Sequence, residues 1–217
     1  METSPNQTQE VRFDEAGAAQ MDRTAVEIFA PIYPVLANQI VRRLGITKGH
    51  CVEIGSGPGL LALSLAAVTE LKMILLDASM PMHMKAKRRL VASGYDRRFT
   101  LLCGDVHHIP LNDDSVELMM SRGSIFFWEH PERAFGEIHR VLAPSGRSYV
   151  GGGFGNAHLR DRICEKMTAI RPDWRTFRDR NLGEPTRQKI LSALHAAAVH
   201  YDIINDDSGF WIIIKKE

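Results

Sequence analysis

Three short stretches of the 217-residue sequence carry side chains able to bind a nucleotide-like ligand. In EIGSGPG, Glu53 to Gly59, the alternate glycines Gly55, Gly57 and Gly59 flank Ser56, so the chain can turn tightly and bring its backbone against a ligand. Asp77 ends LLD 24 residues after Glu53, where a carboxylate can accept two ribose hydroxyls. In CGD, Cys103 to Asp105, a third acid is placed to accept from an adenine amino group. A glycine turn alone also serves plain packing, but three such strand ends in order corroborate one another. The residue three after Gly57 is Leu60, where a dinucleotide fingerprint asks for Gly or Ala, and this disfavours a pyrophosphate.

A second group lies in SRGSIFFWEH, Ser121 to His130, where Ile125, Phe126, Phe127 and Trp128 stand between Arg122 and Glu129. We read Phe126, Phe127 and Trp128 as apolar walls of a pocket, because a pure core would have to pair or expose the bracketing charges, with plain cover for the sheet edge as the alternative. Arg122 could bind the carboxylate of a ligand, or pair with Glu129. GGGFGN, Gly151 to Asn156, follows the fifth strand and should bring Gly153 and Phe154 to the same pocket. Its three glycines suit a close backbone approach or a hinge, with a plain loop as the blander alternative.

The elements that must position these residues alternate. CVEIG, KMILLD, FTLLCGD, SVELMMS and RSYVGGG are apolar strands. Helices lie between them at Gly59 to Val68, at Ser79 to Gly94 with a Ser cap and a closing Gly, and from Pro131, where Ala134, Phe135, Ile138, Val141 and Leu142 share one face. Strands alternating with helices imply right-handed crossovers: a doubly wound α/β fold, with a mostly parallel seven-stranded sheet and helices on both faces. VHYDIIND and GFWIIIKK make an antiparallel C-terminal hairpin, and the run Phe210 to Ile214, apolar on both faces, places the last strand inside the sheet. Ahead of the sheet, Pro31 and Pro34 divide the helical pattern of Ala18 to Leu44 into two helices with a bend.

Length fits one domain over residues 11–217, after a flexible tail at 1–10. A net charge of +1 and the lack of a basic stripe interleaved with aromatics disfavour nucleic acid. No apolar run is long enough to span a membrane and the N-terminal residues are polar and acidic, which indicates a cytoplasmic protein. Three cysteines suit a reducing compartment; Cys51, Cys103 and Cys164 fall on separate elements and His107 with His108 lack ligand spacing, so no metal site is expected.

VEIGSGPG, LLDAS and GDVHHIP resemble the successive cofactor motifs of class I S-adenosylmethionine-dependent methyltransferases, and the closing hairpin is similar to that family's last strands. The resemblance implies S-adenosyl-L-methionine as cofactor and S-adenosyl-L-homocysteine as product. It assigns Glu53 and the Gly55, Ser56, Gly57 and Gly59 loop to the methionine end, Asp77 to the ribose, and Ala78 with Met82 to the adenine ring. Gly104, Asp105 and Val106 would meet the adenine edge, and Ser121 or Arg122 would sit beside the sulfonium. Residues 11–46 would form a helical lid carrying Phe29 and Tyr33.

The likeness is greater to small-molecule methyltransferases than to those with nucleic-acid domains, and FAPIYP, SRGSIFFWE and GGGFGN resemble functionally unassigned members from anaerobic microbes. The activity implied is in-line methyl transfer to a small-molecule acceptor. His107, His108, Glu129, His130 and Tyr33 are candidate bases, none with a partner visible in sequence, so the base stays unassigned. A cofactor-binding protein without transfer activity, working through a partner, is the alternative, and an NAD-linked oxidoreductase a more distant one. No motif addresses oligomeric state.

Overall fold

A computed structural model describes residues 14–217, so the tail expected at 1–10 lies outside the described residues. Asp14 caps the first helix, α1 (Glu15–Thr24), by accepting from the Gly17 amide at 2.7 Å. A π-turn at Ala25–Phe29 leads into α2 (Ile32–Leu44), and the two helical segments meet at 76° where the FAPIYP prolines break the pattern. Strand β1 (His50–Ile54) then enters the sheet, followed by α3 (Leu60–Ala66), β2 (Lys72–Asp77), α4 (Met80–Ser93) and β3 (Phe99–Cys103). Helix α4 has the expected Ser79 cap and Gly94 end.

The second half supplies β4 (Val116–Arg122), α5 (Pro131–Val141), β5 (Leu142–Gly153), α6 (Ala157–Ile170), α7 (Trp174–Leu182), α8 (Glu184–Ala196), β6 (His200–Asp206) and β7 (Gly209–Lys215). The sheet order is β3-β2-β1-β4-β5-β7-β6. β7 pairs antiparallel with both β5 and β6, so the last strand lies inside the sheet as its two-faced apolar run requires.

Side chains alternate between two cores, one on each face. Cys51, Leu118, Met120, Tyr149, Trp211 and Ile213 pack on one face with Leu36, Ile40, Leu61 and Leu65 of α2 and α3. Val52, Ile54, Met119, Val150, Ile212 and Ile214 pack on the other with Phe135, Ile138 and Val141 of α5. This period of two explains why the strands read as continuous apolar runs. No single described helix is long and apolar enough to cross a membrane.

The glycines of GGG lie inside β5 and not in a loop after it. A Cβ on Gly151 would stand 2.0 Å from the Phe210 carbonyl oxygen of β7, and one on Gly153 would stand 2.0 Å from that of Ser208. Close approach of the antiparallel strand, rather than a hinge, accounts for the triplet. The basic run from Arg171 to Lys189 divides between α7 and α8.

The order of strands reverses between β1 and β4, which are parallel neighbours with Glu53 beside Met120. The carboxyl ends of β1 and β4 therefore flank the crevice where open α/β sheets take their ligands.

Candidate functional site

Gly55 and Gly57 adopt left-handed φ values of +62° and +51°, which a side chain would strain. A Cβ on Gly55 would also lie 2.5 Å from that of Ser124, whereas Gly57 has open space around it. The loop is tied to the end of β2: the Gly55 and Ser56 amides both donate to the Leu76 carbonyl, at 2.8 and 3.1 Å. The Gly57 amide donates to Asp77 Oδ2 at 2.7 Å, and the Ser79 amide to Oδ1 at 2.8 Å. Asp77 thus joins the glycine loop to the start of α4.

Behind the loop, Glu53 is buried, its Oε2 accepting from the Ala62 amide at 3.0 Å. Burial pushes its pKa up to about 8; the Ala62 bond opposes this and the nearby Asp77 charge adds to it. A carboxyl held in this way is poised to ionise when a cation arrives. The Ser56 hydroxyl is buried with no hydrogen-bond partner among the described residues. An open glycine cradle, an orphaned hydroxyl and two carboxyls fit a ligand carrying an ammonium and a diol.

Farther along the edge, Met82 and Val106 are buried, while Ala78 is exposed. Gly104 is confined, since a Cβ there would meet Leu76 Cδ1 at 2.9 Å. The Asp105 side chain is 62% exposed and accepts from the His107 amide at 2.7 Å and from the His107 ring. The His130 amide donates to His107 Nε2, which leaves the proton on Nδ1 facing Asp105. His107 is therefore a strut of this loop, and Glu129 and His130 face solvent.

Across the crevice, Ser121 is fully buried and its hydroxyl bonds that of Ser124, which also donates to the Ile54 carbonyl. Arg122 forms no ion pair with Glu129. Its Nε donates to the Gly153 carbonyl at 3.2 Å, and its guanidinium lies 4.6 Å from the Phe29 ring centre and 5.7 Å from that of Phe154. Burial lowers the pKa of this guanidinium, and Tyr33 opposes the shift. The Tyr33 phenol is itself raised by burial, with Arg122 opposing, so it keeps its proton at neutral pH.

The aromatic run that follows divides three ways. Phe126 covers Gly152 of β5, its ring 2.8 Å from where a Cβ would stand, with Leu182 of α7 beside it. Phe127 is 52% exposed. Trp128, read as a pocket wall, instead packs edge-on against Phe135 of α5, 5.9 Å between ring centres, within the core on that face of the sheet. A short 3-10 turn at Ile125–Phe127 swings successive side chains in different directions, which is why one stretch serves core, surface and the cover over Gly152 of β5.

Three contributors escaped the sequence reading. Trp174 at the start of α7 meets the Phe29 ring edge at 6.0 Å. Ser124 packs beneath Gly55. Arg89 of α4 donates to the Pro58 carbonyl at 2.6 Å and to Asp22 of α1 at 2.8 Å, fastening the N-terminal helices to the glycine loop. Only a Trp among polar residues, and an Arg on a helix facing the loop, hinted at any of them.

A glycine cradle lies on one side of the β1/β4 crevice and an aromatic cluster on the other, in a Rossmann-like domain. The "Methyltransferase domain" family model matches residues 52–150, which include the cradle and Arg122. A solved structure from Methanococcus maripaludis, described as a candidate S-adenosyl-L-methionine-dependent methyltransferase, is 41% identical, covers 99% of this chain and 97% of its own, and superposes with a TM-score of 0.92. The malonyl-[acyl-carrier protein] O-methyltransferase of Methylovorus is 37% identical over half of this chain and 39% of its own length. A rice chloroplastic 2-methyl-6-phytyl-1,4-hydroquinone methyltransferase is 30% identical over 44% of this chain and 28% of its own. The chain spans about half or less of the length of such curated relatives. It belongs to the S-adenosylmethionine-dependent methyltransferase family, whose cofactor is S-adenosyl-L-methionine.

Proposed function

We propose that this chain transfers a methyl group from S-adenosyl-L-methionine to a small-molecule acceptor in the cytoplasm. The observation that carries this reading is the meeting of two unlike surfaces at one crevice: Glu53, Gly57 and Asp77 on the polar side, Phe29, Arg122 and Phe154 on the aromatic side. When bound, the cofactor supplies an electrophilic methyl group on a sulfonium.

The chain's own groups have separable tasks. Glu53, in its ionised form, holds the ammonium, with the loop amides and Ser56 around the methionine end. Asp77 accepts the ribose hydroxyls through the lone pairs left over from Gly57 and Ser79, while Ala78, Met82, Gly104, Asp105 and Val106 border the base. Phe29, in the turn that continues α1, itself fastened by Arg89, and Tyr33 on α2 cover the crevice and exclude water. Exclusion helps because charge is lost at the sulfonium as the methyl moves, and positioning donor and nucleophile in contact supplies much of the rate. No side chain is assigned as base: Tyr33 stays protonated and His107 is engaged by Asp105.

Thermal midpoints with S-adenosylmethionine, S-adenosylhomocysteine and NAD test the donor. At a hundredfold excess over its dissociation constant a ligand adds ~2.7 kcal/mol, which for this length is a rise of roughly 5–10 °C. A rise with both sulfur nucleosides and none with NAD is expected; a rise with NAD alone rejects the reading. Methyl incorporation across an acceptor panel then separates an enzyme from a cofactor-binding protein.

A further inference from the structure

Arg122 is a guanidinium set among aromatic rings with no carboxylate partner among the described residues. Its Nε is satisfied by the Gly153 carbonyl, which leaves both terminal nitrogens free to form a planar fork. Phe29 and Phe154 pack against it from the lid and from the end of β5, and are themselves 6.4 Å apart in a stacked arrangement. Trp174 leans on the same Phe29 ring, and its indole N–H is buried without an acceptor among the described residues. Four segments distant in sequence therefore meet around the Phe29 ring, which has a cation, a second phenyl ring and an indole with a free neutral donor against it. An unpaired buried donor is costly unless something completes it.

We infer that the acceptor carries a carboxylate, bound by the Arg122 fork and the Trp174 indole N–H, on an apolar body that lies along Phe29 and Phe154. This rests on the methyltransferase reading and names its substrate class. A carboxylate matches one planar fork plus one further donor, whereas a phosphate dianion calls for more cations than this chamber provides. The cofactor's own carboxylate is the rival occupant. The contacts of Arg122 with Gly153 and Phe154 point away from it, because both lie at the end of β5, while the glycine loop and Glu53 are on β1.

The test is calorimetric titration of the full chain, first with S-adenosylhomocysteine, then, in its saturating presence, with benzoate, phenylacetate and hexanoate, each against its own amide. At least one carboxylate should bind about tenfold or more tighter than the amide, the size of a charge-assisted pair over a neutral one. Arg122→Gln should erase that preference and leave S-adenosylhomocysteine affinity within about twofold, and Trp174→Phe, which keeps a ring but loses the N–H, should weaken the carboxylate about threefold to tenfold. If Arg122→Gln does not fold, the Trp174→Phe result decides alone. The inference is overturned if every amide binds as well as its acid, if the preference survives in Arg122→Gln, if Trp174→Phe leaves carboxylate affinity unchanged, or if Arg122→Gln abolishes S-adenosylhomocysteine binding instead. Failure of the unaltered chain to bind S-adenosylhomocysteine, read before any acid is added, would reject the methyltransferase reading itself.

Discussion

The two sides of the crevice are built by different means. The cradle on β1 and β2 is made largely of backbone amides and carbonyls within two short segments, with Asp77 accepting from Gly57 and Ser79 and Leu76 accepting from Gly55 and Ser56. The chamber on β4 and β5 is made of side chains from residues 29, 122, 154 and 174, joined only by the fold. A backbone cradle keeps its shape through changes of neighbouring side chains, whereas a chamber of side chains changes its contents with each substitution. One donor with many acceptors is what such a division would serve.

The largest effect should come from a residue that belongs to neither side. Trp128→Ala removes a ring packed on Phe135 and should cost ~3–5 kcal/mol, lowering the thermal midpoint by roughly 10 °C without weakening S-adenosylhomocysteine binding. A loss of acceptor turnover at unchanged stability would instead return Trp128 to the chamber and enlarge that half. Next, Asp77→Ala takes away two amide partners and the ribose acceptor together. Cofactor affinity should fall about a hundredfold, ~2.7 kcal/mol at 25 °C, and acceptor-side binding of a carboxylate to the free chain should change little. A drop in both would mean that the two halves are coupled through the loop.

The same division explains what the sequence revealed. Glycine turns and strand-end acids are local patterns with a local cause, so EIGSGPG and Asp77 were legible as a turn beside a strand end, and two-faced apolar runs placed β7 inside the sheet. Ser79 and Gly94 marked the ends of α4 through their own side chain and φ. Trp174 carried no such mark, because nothing within α7 itself records that its ring will meet Phe29. Trp128 failed for a related reason: a 3-10 turn gives neither the period of a strand nor that of a helix, so the direction of each aromatic was not encoded in its spacing. The GGG triplet was legible as a close approach, but the partner, β7, lies more than 50 residues away.

Glu53 offers a sharper probe of the cradle because it titrates. Its pKa is about 8 in the folded chain against 4.5 ordinarily, so the folded state holds a proton that the unfolded state releases. The stability this confers is complete below about pH 4.5 and is lost as pH rises toward 8. The midpoint of the ligand-free chain should therefore fall across that window by more than the midpoint of Glu53→Gln, which cannot ionise. Ligand binding should show the opposite trend, since the ammonium favours the ionised carboxyl. Affinity for S-adenosylhomocysteine should rise by up to about tenfold per pH unit below 8, with close to one proton released at pH 7 in buffers of different ionisation enthalpy. A flat profile in the unaltered chain would place the ammonium elsewhere and break the assignment of Glu53 to the cradle.

The smallest effect tests where the chamber ends. Phe127 is half exposed, one residue from Phe126, which covers Gly152, and one from Trp128, which is in the core. Removing an exposed ring changes stability by at most ~0.5 kcal/mol, so Phe127→Ala should melt with the unaltered chain and bind S-adenosylhomocysteine equally well. If the acceptor's apolar body reaches the rim, the variant should raise KM for the acceptor a few-fold while kcat holds, because the ring would then contribute binding shared by ground and transition states. An unchanged KM would confine the chamber to Phe29, Phe154 and Trp174. The acceptor would then be small enough to be held by the rings that surround Arg122, with no contact at the mouth.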